Sequence, residues 1–128
     1  MSELRYHTSA AAEKYSGFCH AVTDGNYLFL SGQTAADSKS PDARTGTIEE
    51  ETKTCLTSLR NILGDFGLGM EDVLRVNIYM RSLADFDRMN RVYETFFPEG
   101  KRPARTTIGA GELFEGSLIE IDCMARMR

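Results

Sequence analysis

The run Lys101-Arg102-Pro103-Ala104-Arg105-Thr106-Thr107-Ile108, followed by Leu118-Ile119-Glu120-Ile121-Asp122, holds the residues of this chain best suited to chemistry. Pro103 fixes its own backbone angle, lacks an amide donor and drives Arg102 towards extended geometry, so a strand is expected to start near Ala104 or Arg105. A guanidinium on a stiff strand can grip a carboxylate through two parallel charge-assisted hydrogen bonds, each contributing about 1.5–3 kcal/mol when shielded from solvent. Arg105 therefore offers a site that selects small acids. Further along, Glu120 and Asp122 alternate with Ile119, Ile121 and Cys123, which puts two carboxylates on the polar face of another strand.

The elements that must position these residues can be read along the chain. Asp24-Gly25 lies between Phe18-Cys19-His20-Ala21-Val22 and Tyr27-Leu28-Phe29-Leu30, the pattern of a tight hairpin. Thr47 and Glu50 have capping-box spacing, and Cys55, Leu56, Leu59, Ile62, Leu63 and Phe66 recur at helical spacing, predicting a helix over about residues 48–66. Leu74, Val76, Ile78 and Met80 then alternate with Arg75, Asn77, Tyr79 and Arg81, predicting a half-buried strand. Ser82 and Asp85 signal a second helix, whose apolar face is Phe86, Met89, Val92, Tyr93, Phe96 and Phe97 and which Pro98 and Gly100 end. In the strand that follows, Arg105 and Thr107 point one way and Thr106 and Ile108 the other.

The order β-β-α-β-α-β-β fits an α+β fold in which two helices cover the apolar face of one mixed sheet. The other face would carry Arg75, Asn77, Tyr79, Glu120 and Asp122, too polar for a second core. Assembly of copies would cover it, and clefts between subunits are common sites for small ligands.

Composition narrows the function classes. With 128 residues, 27% charged and 41% hydrophobic, the chain is expected to form one domain spanning 1–128 without disulfide or metal staples. No apolar run approaches the roughly 18 residues of a membrane span, and Met1-Ser2-Glu3-Leu4-Arg5-Tyr6 lacks a secretory pattern, so a cytoplasmic location is expected. Cys19, Cys55 and Cys123 are odd in number and lack paired short spacing, which argues for free thiols over a disulfide framework or a zinc site. The net charge of −4, with Lys and Arg scattered, disfavours a nucleic-acid surface. Residues 34–46, with Ser38, Ser40, Pro41 and Gly46, read as an inserted loop.

Along nearly its whole length the chain resembles the reactive intermediate deaminase family, called RidA or YjgF. The segments that carry the resemblance are Tyr27-Leu28-Phe29-Leu30-Ser31-Gly32-Gln33, Glu71-Asp72-Val73-Leu74-Arg75-Val76, Asp85-Phe86 with Met89-Asn90 and Val92-Tyr93, Phe96-Phe97-Pro98, Arg102-Pro103-Ala104-Arg105 and Ile119-Glu120-Ile121. The resemblance implies a chorismate-mutase-like fold with a mixed six-stranded sheet and two helices on one face, assembled as a homotrimer with an inner barrel and sites between neighbouring subunits. It implies hydrolysis of enamines and imines such as 2-aminoacrylate and 2-iminopropanoate to 2-keto acids and ammonia, as by a 2-iminobutanoate/2-iminopropanoate deaminase, without metal or organic cofactor. By the same resemblance Arg105 holds the substrate carboxylate and Glu120 positions or activates water. Phe18, Gly32, Asn90 and Thr107 fall at the substrate.

Five positions depart from that pattern. Phe18 stands where many members have Tyr, which removes a hydroxyl and leaves an aromatic wall. Cys19 and His20 replace Ser and Gln, Thr107 replaces a common Cys while keeping a donor, and Leu113-Phe114 replaces Leu-Pro. A structural role competes at several positions: a salt bridge for Arg105, pairing with Arg75 for Glu120, and local support for Asn90 and His20. Cys19 reads as a small buried side chain, and close packing accounts for Gly32. The alternative from another class is a non-catalytic trimeric binding protein that uses Arg105 to hold small carboxylates or keto acids.

Overall fold

The computed structural model describes residues 3–9, 17–38 and 41–128. Its strands are β1 (Arg5–His7), β2 (Ala21–Thr23), β3 (Tyr27–Gln33), β4 (Val73–Met80), β5 (Ala104–Gly109) and β6 (Ile119–Arg126), and its helices are α1 (Ile48–Asp65) and α2 (Phe86–Glu94). They form one six-stranded sheet in the order β1-β2-β3-β6-β4-β5, antiparallel except for the β4–β5 pair. No helix among the described residues is long and apolar enough to cross a membrane.

Local chemistry explains the elements. Asp24 Oδ1 accepts the amides of Asn26 and Tyr27, both at 2.9 Å, while Gly25 takes a φ of 95°, so the hairpin closes where Asp-Gly predicts. Those amides hold the Asp24 carboxyl below its ordinary range. Thr47 Oγ1 accepts the Glu50 amide at 3.1 Å and starts α1 as expected. Ser82 caps a single 3-10 turn, Leu83–Asp85, and α2 follows it directly. The core is one layer: Leu28, Leu30, Val76, Ile78, Ile119 and Ile121 on the sheet meet Leu56, Leu59 and Leu63 of α1 and Met89 and Tyr93 of α2. Each of these large apolar side chains contributes about 1.5–3 kcal/mol by leaving water.

Several sequence expectations are corrected. The first strand of the sheet is β1, which the residue pattern did not mark; it is three residues long and pairs with β2. Phe18 and Cys19 precede β2 and do not lie in it. A bulge between Val73 and Arg75 buries Val73 and leaves Leu74 42% exposed, so Leu74 does not join the apolar face of β4. Helix α2 ends at Glu94, before Pro98, in a turn that still buries Phe97. Free Cys19, Cys55 and Cys123 agree with the expectation of unpaired thiols.

Candidate functional site

Register decides where the candidate residues face. Arg105 pairs with Val76 and Thr107 with Ile78, both core residues, so these two side chains leave β5 on the helix-covered face. Glu120 pairs with Tyr79 and Asp122 with Asn77, so the carboxylates stand on the uncovered face. Val76 and Tyr79 are three residues apart on one strand and point to opposite sides. Arg105 and Glu120 therefore lie on opposite faces of the sheet, and one copy of the chain does not bring them together.

The Arg105 half is tightly braced. Its Nη1 donates to Asn90 Oδ1 at 2.7 Å, and its guanidinium lies 4.6 Å from the Tyr93 ring centroid and 5.4 Å from that of Phe86. Phe86, Asn90 and Tyr93 recur at helical spacing on one face of α2, so a single helix supplies the whole brace. Asn90 is itself held, donating to Glu94 Oε1 at 2.9 Å. Burial is the main cause that pushes the Tyr93 phenol up to about 12, with the nearby Arg105 charge acting against it. Thr107 Oγ1 is buried and has no hydrogen-bond partner. An orphaned hydroxyl two residues beyond an arginine, on the same face, is a donor awaiting an acceptor.

The Glu120 half is built differently. Asp122 accepts from Asn77 Nδ2 at 2.9 Å and from Tyr79 Oη at 3.1 Å, whereas Arg75 donates to Thr106 at 2.7 Å and leaves Glu120 alone. Among the described residues no donor reaches the Glu120 carboxylate. Burial first, then the charges of Asp122 and Asp37, raise its pKa above the ordinary value. The same surroundings, with burial again first, raise the Tyr79 phenol. Gly32 leaves the room the Glu120 carboxylate occupies, since a Cβ there would meet that side chain and displace it. Gly32 and Phe18 line a depression of about 30 Å³ together with His20 and Asp37. His20 is buried and its Nδ1 accepts the Ser9 amide at 2.8 Å, which gives the ring a structural task.

A family model described as Endoribonuclease L-PSP matches residues 7–127. The chain belongs to the YjgF/RidA family. Within that family it is 34% identical to the RutC family protein of Pyrococcus horikoshii over 92% of this chain and 93% of the relative. It is 33% identical to a 2-iminobutanoate/2-iminopropanoate deaminase of Dermatophagoides farinae, over 90% of this chain and 89% of that one. A crystal structure from Thermotoga maritima superposes with a TM-score of 0.87 at 33% identity, covering 97% of this chain and 98% of its own. A YjgF family member from Neisseria meningitidis superposes at 0.78 with 28% identity, covering 98% and 96%.

The YjgF/RidA resemblance carried by Arg102-Pro103-Ala104-Arg105 and the other motifs is thus the family that the whole chain shows. In this YjgF/RidA chain the candidate residues fall into two groups, Arg105 with Asn90 and Thr107, and Glu120 with Gly32, while Phe18 lines the depression beside Gly32 that Ser58, Asn61 and Ile62 of α1 also wall. Three neighbours of the candidate residues left no mark in the sequence. Phe86 and Tyr93 read as core because their helical spacing does not reveal an arginine above them, and Asp37 sits in a loop that carries no periodic signal.

Proposed function

We propose that this YjgF/RidA chain is a cofactor-free hydrolytic deaminase of enamine and imine intermediates such as 2-aminoacrylate and 2-iminopropanoate, and that it works as a homotrimer with an inner barrel. Each site takes Arg105 from one copy and Glu120 from the next. The observation that carries this reading is the placement of the two residues on opposite faces of one sheet. Relatives named 2-iminobutanoate/2-iminopropanoate deaminase, from Dermatophagoides farinae and Rattus norvegicus at 33% and 31% identity, support the reaction class. The uncovered face supports assembly: Tyr6, Val22, Phe29 and Met124 share it through their register, with Tyr6 69% and Phe29 48% exposed.

In the reaction, the guanidinium edge that Asn90 leaves open binds the substrate carboxylate, and the Thr107 hydroxyl donates to the substrate beside it. Glu120 takes a proton from water, and the oxygen bonds to the imine carbon. As the oxygen adds, the carbon–nitrogen π bond passes to nitrogen, which takes back the proton held by Glu120. The new hydroxyl then gives up its proton by way of the same carboxylate, and nitrogen, now with both protons of the water, leaves as ammonia as the carbon–nitrogen bond breaks and the carbon–oxygen double bond of the 2-keto acid forms. A carboxylate without donors and with a raised pKa suits the base; Asp122, with both oxygens bonded, does not. Phe18 adds an apolar wall to the depression that Gly32 also lines. The acidic group Asp37, Glu120 and Asp122 would repel phosphodiesters, which weighs against a nuclease reading of the family description.

The three free thiols fit a cytosolic location. Because the relative named Protein mmf2, mitochondrial, from Schizosaccharomyces pombe is 38% identical over 82% of this chain and 83% of its own, fractionation should compare cytosol with mitochondria. The function is tested by generating 2-aminoacrylate with a dehydratase and following keto-acid release with wild type and Arg105→Ala. Acceleration by wild type alone is expected. Binding of pyruvate or 2-oxobutyrate without turnover would instead favour a carboxylate-binding protein.

A further inference from the structure

We propose that Glu51, a buried carboxylate outside the candidate site, is a positioning residue that sets where Glu120 stands. Its kinetic consequence rests on the deaminase reading; its structural consequence does not.

Glu51 belongs to the first turn of α1 but is only 4% exposed. Its Oε1 accepts the Leu118 amide at 2.9 Å and its Oε2 accepts the Gly46 amide at 3.0 Å. Leu118 immediately precedes β6 and stands two residues before Glu120. The Leu118 carbonyl in turn accepts the Arg81 amide at 2.9 Å, so this residue is pinned through both its N–H and its C=O just where the strand begins. Gly46 closes the loop that carries Asp37 and precedes the Thr47 cap. One carboxylate thus ties the end of the loop to the start of the strand. The positive end of α1 and two charge-assisted bonds offset its desolvation.

The residue type follows from the donors. Two backbone amides converge on the side chain, and only an acceptor-only group satisfies both. Glutamine has the same shape but would turn an amine towards one of them, leaving donor against donor in a buried place. The strain would fall on Leu118 or Gly46, and through them on the depth at which Glu120 sits between Gly32 and Tyr79. Arg105 is insulated from this, since it stands on β5 and is braced by α2. The effect should therefore separate turnover from carboxylate binding.

The test uses the full chain in its native assembly, with Glu51→Gln and Glu51→Asp. Asp keeps the acceptor-only chemistry with a shorter reach. For Glu51→Gln we expect kcat for 2-aminoacrylate to fall about tenfold to a hundredfold with KM held within about twofold. Glu51→Asp should lie between it and wild type. Independently of activity, the Glu120 carboxyl followed by NMR should titrate at lower pH as it becomes more exposed, in the charge-preserving Glu51→Asp as well as in Glu51→Gln, so that loss of the Glu51 charge is not the cause. The groups facing it, Asp122 on its own strand, Tyr79 across and Asp37 from the loop, are unchanged in both variants. A folded Glu51→Gln protein with wild-type kcat and unaltered Glu120 titration overturns the proposal, as does a loss that merely tracks the unfolded fraction. If Glu51→Gln does not fold, Glu51→Asp is read by the same two measures. If wild type shows no turnover, the titration alone decides, so failure of the deaminase reading is distinguishable from failure of this one.

Discussion

Arg105 and Glu120 are both half-buried strand residues, yet the first is bonded to Asn90 and stacked on two rings while the second has no donor among the described residues. The contrast fits the role proposed for each. A residue that binds a carboxylate gains from rigidity, because its charge is permanent and the cost of ordering it is met before substrate arrives. A base must keep lone pairs free and a proton affinity near the working pH. Asp122 is an internal control: it shares strand and face with Glu120, but Asn77 and Tyr79 occupy its oxygens.

The largest expected effect follows from breaking the braced half. Arg105→Ala should lower kcat/KM by a factor on the order of 10² to 10³, as loss of one partner of a shielded charge pair does, and Arg105→Lys should recover little because the fork is gone. Steady-state kinetics with 2-aminoacrylate checks this. Glu120→Gln should cost on the order of 10²-fold in kcat with KM nearly held.

The same substitution should raise the melting temperature at neutral pH. Burial raises the folded-state pKa of Glu120, so folding favours its protonated form. The stability this contributes is complete below the unfolded-state pKa and is lost as pH rises through the folded one. Glutamine removes that loss, and the two melting curves should converge below about pH 4. Asn90→Ala should raise KM about threefold to tenfold by freeing the guanidinium, in line with the loss of one hydrogen bond to a charged group. The smallest effect is that of Asp37→Asn: with one negative neighbour gone, the acidic limb of the kcat/KM profile should move to lower pH while the plateau stays.

Much of this contrast was legible in the residues. Asp24-Gly25, Thr47 and Pro103 each act through their nearest neighbours, so the hairpin, the start of α1 and the start of β5 fell where local chemistry put them. Alternation also showed correctly that Arg105 and Thr107 share a face and that Glu120 and Asp122 share another. Matching the apolar faces also put Glu120 and Asp122 beside Asn77 and Tyr79, as the register shows. It did not tell on which side of the sheet Arg105 stands, because that depends on the long-range pairing of Arg105 with Val76. Strand β1 is too short for a period, and the bulge at Leu74 shifts an otherwise regular alternation by one residue. Phe86 and Tyr93 obey the helical pattern whether they meet leucine or a guanidinium, so their contact with Arg105 left no mark.

The central claim is that a working site joins Arg105 of one copy to Glu120 of another, and subunit mixing tests it most directly. Arg105→Ala and Glu120→Gln chains, each inactive alone, are unfolded together, refolded in equal amounts and assayed. Random assembly should restore about a quarter of wild-type activity, because one interface in four then pairs an intact arginine with an intact glutamate. Mixed oligomers that form but stay as inactive as either parent would contradict it.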